Sequence, residues 1–123
     1  MKKAKYLMIF GLMLVAVISC NVDVENVELS GYVYDSNEGE PIKNAILKIE
    51  SYFYGNSPDQ SYSDFKAYYL RTDENGFYSI KLDTSALINI DVFKVGYSKG
   101  FKSEDFPSKK QIINFYLKKS DSN

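Results

Sequence analysis

Apolar and polar side chains alternate with a period of two in one short stretch of this chain after another. Val27, Leu29, Gly31 and Val33 alternate with Glu28, Ser30, Tyr32 and Tyr34; Ala45, Leu47 and Ile49 oppose Lys48 and Glu50; Tyr78, Ile80 and Leu82 oppose Ser79 and Lys81. Ile88, Ile90 and Val92 resume the pattern, and Ile113, Phe115 and Leu117 repeat it against Asn114 and Tyr116. Successive side chains of an extended chain point to opposite faces, so each stretch predicts a strand with one face in a core and the other in water. Turn formers separate them: Asp35 to Pro41, then Thr72-Asp-Glu-Asn-Gly76, where Asx side chains bond their own backbone and Gly76 accepts angles other residues resist. Asp83 to Ala86 reads as a break with room for one helical turn, and the polar stretch Lys99 to Lys110, holding Pro107, as at most an edge strand. No segment sustains a helical period. About seven short strands spaced by turns predict an all-β sandwich.

Ser51 to Tyr69 is the least regular part, and it carries Tyr52, Phe53, Tyr54, Tyr62, Phe65, Tyr68 and Tyr69. A structureless loop of that length is unusual inside a compact domain. Tyr52 to Tyr54 is therefore read as continuing the second strand, Gly55 to Gln60 as a turn and Tyr68 to Thr72 as a returning strand, with 61–67 open.

Lys2, Lys3 and Lys5 precede an uncharged apolar run, Tyr6 to Ser19, too short to span a bilayer comfortably. Val17-Ile18-Ser19-Cys20 closely resembles the lipobox of bacterial lipoproteins, which implies acylation of Cys20, the one cysteine of the 123 residues. The expected organisation is a signal peptide over 1–19, a lipidated tether over 20–26, a β-sandwich domain over 27–118 and a polar tail over 119–123. Asn21 is not the aspartate that resembles an inner-membrane retention signal, so the outer membrane is expected, and Asp23 and Glu25 resemble the acidic start of some surface-exported lipoproteins. Three of the 15 basic residues leave with the signal while all 16 acidic ones stay, giving the mature part a formal charge of −4. Nucleic acid is not an expected partner.

Gly31-x-Val33, Gly39-x-Pro41-Ile42-x-Asn44-Ala45-x-Leu47, Thr72-Asp-Glu-Asn-Gly76-x-Tyr78-x-Ile80, Ile90-x-Val92 and Gly96-Tyr97, in this order, resemble the carboxypeptidase regulatory-like domain. The resemblance runs from Val27 to about Leu117. It implies a transthyretin-like, Greek-key β-sandwich of about seven strands, in a family that looks like docking or spacer modules on peptidases and nutrient receptors. The Tyr-rich segment from Ser51 to Tyr69 is longer than the family's usual link.

The chain has no histidine. Two enzyme families with a similar sandwich, the hydroxyisourate hydrolases and the intradiol ring-cleaving dioxygenases, resemble sites built on histidine as base or iron ligand, and Ser-His or Cys-His nucleophiles need it too. The expectation is a protein that is not an enzyme and holds no cofactor or metal. Carboxylate pairs drawn from Asp35, Glu38, Glu40, Asp64, Asp73 and Glu74, and calcium at Asp35-x-Asn37-x-Gly39 or Asp73-x-Asn75, are the competing readings, though turn formation accounts for these residues. Gly96-Tyr97 reads as a bend followed by an anchoring ring. Tyr52, Tyr54, Tyr62, Tyr68 and Tyr69 are the candidate binding residues, because aromatic rings offer large contact faces at low entropic cost. The expected function is a lipid-anchored interaction module for another envelope protein, with glycan stacking as the alternative and edge covering as the structural reading.

Overall fold

The structure, a computed structural model, describes residues 23–55, 62 and 64–121. They form eight strands: β1 (Val24–Asp35), β2 (Ile46–Phe53), β3 (Asp64–Arg71), β4 (Phe77–Ser85), β5 (Leu87–Phe93), β6 (Gly100–Asp105), β7 (Lys110–Ile112) and β8 (Phe115–Leu117). One sheet places β1 between β4 and the two short strands β7 and β8; the other has the order β3-β2-β5-β6. The alternation read from the sequence is what joins the layers. Val27, Leu29 and Val33 of one sheet meet Leu47, Ile49, Ile88, Ile90 and Val92 of the other, with Tyr78, Leu82, Phe115 and Leu117 completing a buried core. The all-β sandwich is thus the observed fold.

Three boundaries differ from the expectation. β1 begins at Val24, where a tether to Asn26 was predicted, because Val24 and Glu25 pair with Ser85 and Thr84. The same pairing carries β4 through to Ser85, past the predicted break at Asp83. β3 starts at Asp64, so the Tyr-rich segment belongs largely to a β2–β3 hairpin in which Phe53 opposes Asp64 and Ile46 opposes Arg71.

The last predicted strand, Ile113 to Leu117, is a strand only over Phe115–Leu117, and a further short strand, β7, precedes it; both run parallel to β1, Glu28 opposite Lys110 and Val33 opposite Phe115. Gly31 explains the break between them. A Cβ there would lie 1.8 Å from the carbonyl oxygen of Ile113, so the chain between β7 and β8 presses onto β1 at the one position lacking a side chain. The Tyr78 hydroxyl donates to that carbonyl, and Asn114 Oδ1 accepts the Tyr32 N–H at 2.9 Å.

The turn motifs have become backbone clamps. Asp35 Oδ1 accepts the N–H groups of Asn37 and Glu38, and Asp73 Oδ1 those of Asn75 and Phe77, so each carboxylate serves its own turn. Gly76 has φ 73°, and its carbonyl accepts the Val33 N–H at 2.8 Å. Buried Thr72 joins the two segments of the resemblance: Oγ1 accepts the Ala45 N–H at 2.9 Å and donates to the Ile42 carbonyl at 2.6 Å. Tyr97 is the expected anchor, its hydroxyl donating to Asp35 Oδ2 at 2.8 Å.

Candidate functional site

Leu47, Ile49 and Ser51 of β2 point into the core, which leaves Lys48, Glu50 and Tyr52 on the outer face of the sheet. Directly opposed residues of an antiparallel pair share a face, and Tyr52 opposes Phe65; the two rings stack with centroids 5.0 Å apart. Tyr54, two residues on, stacks with Tyr62 at 4.8 Å, and Tyr62 also lies 5.8 Å from Tyr52. Phe106, just past β6, reaches Tyr54 at 6.3 Å. Rings from the hairpin and from the end of β6 therefore form one aromatic surface at one end of the sheet.

Backbone contacts hold this surface from below. Asp23, expected in the tether, accepts the N–H groups of Tyr54 and Gly55 at 2.8 and 2.9 Å. Phe106 has φ 47° and donates its N–H to the Ala86 carbonyl, ahead of buried Pro107. The surface is not covered by any other described part of the chain: Tyr62, Phe65 and Phe106 remain 40%, 46% and 47% exposed.

A polar row runs across the sheet beside the rings, since Glu50 opposes Asn89 and Asn89 opposes Ser103. The Tyr52 hydroxyl donates to Glu50 Oε2 at 2.8 Å, and Ser103 Oγ to Asn89 Oδ1 at 2.6 Å. The bond to Glu50, then partial desolvation, raises the Tyr52 hydroxyl above its ordinary pKa; Tyr62 is raised first by its bond with the Tyr54 hydroxyl. Both phenols stay protonated and able to donate at neutral pH.

Of the five candidate tyrosines, the fold brings together Tyr52, Tyr54 and Tyr62. Tyr69 is on the same face, opposite Lys48, but 68% exposed and outside the ring cluster. Tyr68 is a correction: it opposes Ile49, which turns it to the inner face against the core. Phe65 and Phe106 are the members not singled out. The hairpin register would have paired Phe65 with Tyr52; Phe106 carries no local signal. Cys20 and the signal peptide over 1–19 lie outside the described residues.

No protein-family model and no curated protein matches the chain. Solved structures do. The chain is similar to 3-chlorocatechol 1,2-dioxygenase from Rhodococcus opacus 1CP, with TM-score 0.59 and 15% identity over 78% of this chain and 60% of the enzyme. Catechol 1,2-dioxygenase from Acinetobacter sp. ADP1 gives 0.59 and 14% over 82% and 55%, and hydroxyquinol 1,2-dioxygenase from Pseudomonas putida DLL-E4 gives 0.59 and 13% over 84% and 58%. The likeness is one of fold. The chain spans only 55–60% of the length of these three enzymes.

This finding corrects the expectation that the chain is not an enzyme. The sandwich it shares is a framework on which dioxygenases are built, and a missing histidine speaks only to sites that need one. The chain has no histidine, and among the described residues no three His, Cys, Asp or Glu side chains converge.

Proposed function

We propose that this chain is a lipid-anchored envelope module, related to the carboxypeptidase regulatory-like domains, that docks another envelope protein through Tyr52, Tyr54, Tyr62, Phe65 and Phe106. The observation that carries this reading is the stacking of five rings from separate chain segments into one surface of which three members stay 40–47% exposed. Pre-stacked rings lose little conformational freedom on binding, and aromatic side chains in a rigid patch are the usual anchors of protein interfaces. The Cys20 lipid would hold that surface near the outer membrane.

Photo-crosslinking tests it. A crosslinker at Phe65 in the native membrane is expected to capture one defined protein, and the same group at Lys81, on the other sheet, is not. The variant Tyr62→Ser/Phe65→Ser/Phe106→Ser should abolish capture from a crosslinker at Tyr69 while keeping its circular dichroism. Equal capture by the folded variant refutes the proposal.

The polar row Glu50, Asn89 and Ser103 beside the rings favours a second reading, a glycan whose ring stacks on an aromatic face while its hydroxyls meet these groups. Saturable sugar binding on a glycan array, lost in Phe65→Ser, selects this reading over protein docking.

A further inference from the structure

At the opposite end of the same sheet from the aromatic surface, Arg71, Ile46 and Phe93 stand side by side on β3, β2 and β5. With the turn after β5 they border an open cleft of about 470 Å³, within the size range of small-molecule sites. Its apolar lining comes from Ile46, Phe93, the Tyr97 ring and Val95, which is 96% exposed and so has no packing role. Its charged lining is all cationic: Arg71, Lys94 and Lys99. The setting is an acidic protein, with formal charge −1 over the whole chain.

Two of these cations are already engaged. Lys99 Nζ lies 3.0 Å from Asp91 Oδ1 and 5.3 Å from the Phe93 ring centroid, and Lys94 Nζ donates to the Lys43 carbonyl at 2.9 Å. Arg71 has no side-chain hydrogen bond, ion pair or ring contact among the described residues. Its position is nonetheless set, because the next residue is Thr72, whose carbonyl accepts the N–H of Asn44 on the cleft wall. A guanidinium presents a planar fork that matches a carboxylate with two parallel hydrogen bonds, and an apolar floor beside it rewards a ligand with an apolar body.

We propose that this cleft binds a small organic carboxylate, its carboxylate on Arg71 and its apolar body against Ile46, Phe93 and Val95. Lys94, whose ammonium bonds a neutral carbonyl and so keeps its charge, adds to the attraction without competing for the fork, whereas the charge of Lys99 is offset by Asp91. Phosphate or sulfate would use the charge and leave the apolar lining in water.

The test is a titration of the full chain in non-ionic detergent, read at the methyl NMR signals of Ile46 and Val95, with phenylacetate, its neutral analogue phenylacetamide and inorganic phosphate as probes. Phenylacetate is expected to give a saturable shift, with the amide and phosphate at least about tenfold weaker, as the loss of a charge-assisted bidentate pair implies. Arg71→Gln should weaken phenylacetate at least about tenfold with its dispersion of signals intact, while Lys81→Gln on the other sheet leaves it unchanged. Equal binding of the amide, tighter binding of phosphate, indifference to Arg71→Gln, or no saturable shift at millimolar phenylacetate would each overturn the assignment.

Discussion

Thr72 offers a quantitative check on how the turn motifs stabilise the fold. It is 2% exposed, and its hydroxyl both accepts the Ala45 N–H and donates to the Ile42 carbonyl. Thr72→Val keeps the shape of the side chain and removes both bonds. Each orphaned buried group costs about 1–3 kcal/mol, and the added methyl returns about 0.8 kcal/mol, so the expected loss is about 3 kcal/mol. Thr72→Ser keeps both bonds and gives up one methyl, about 1 kcal/mol. The two variants should therefore differ by about 2 kcal/mol, or roughly 10 °C in Tm for a domain of this size. Urea unfolding followed by circular dichroism measures the difference, provided the slopes agree. If Thr72→Val is as stable as Thr72→Ser, the hydroxyl is not the tie between the two segments and the reasoning is wrong.

Gly31→Ala should be more damaging, by at least about 3 kcal/mol, because its Cβ would meet the Ile113 carbonyl oxygen at 1.8 Å and the Tyr78 hydroxyl at 2.9 Å; a urea midpoint within error of wild type would show that the β7–β8 segment yields freely. Asp35 gives an acid signature. The Glu38 N–H and the Tyr97 hydroxyl, with the Asn37 N–H and Lys119 adding, outweigh burial and hold its carboxyl below the ordinary 3.8. Such a carboxyl contributes its full stability above about pH 3.8, less as pH falls below that, and none beneath its folded pKa. Asp35→Asn should flatten the acid limb of stability against pH, and an unchanged limb would assign acid unfolding to other groups.

The core was legible because the period-two pattern states its own answer: Val27, Leu29, Leu47, Ile49, Ile88 and Ile90 are where the alternation puts them. Boundaries were less so, since Val24 and Glu25 are strand residues only by virtue of Ser85 and Thr84, some sixty positions away. The aromatic surface was half visible. Tyr52, Tyr54 and Tyr62 share a crowded segment, but which face each takes depends on the hairpin register, and that register sends Tyr68 inward while Phe65 joins Tyr52. Phe106 and the Arg71 cleft come from residues distant in sequence, and no local pattern announces such a meeting.

The parallel pairing of β1 with β7 and β8 also sets the order in which this molecule can assemble. β2 and β3, and likewise β5 and β6, are near neighbours in the chain and close short loops, whereas Glu28 waits for Lys110 about eighty residues later. Such non-local pairing is slow to form, on the scale of milliseconds to seconds for sandwiches. Until residues 110–117 dock, one side of β1 from Glu28 to Asp35 is an open edge of unpaired backbone groups beside the apolar wall that Phe115 and Leu117 will cover. A chain interrupted before Lys110 would keep that edge, which makes the closing of β7 and β8 the step at which this protein leaves the risk of intermolecular strand pairing behind.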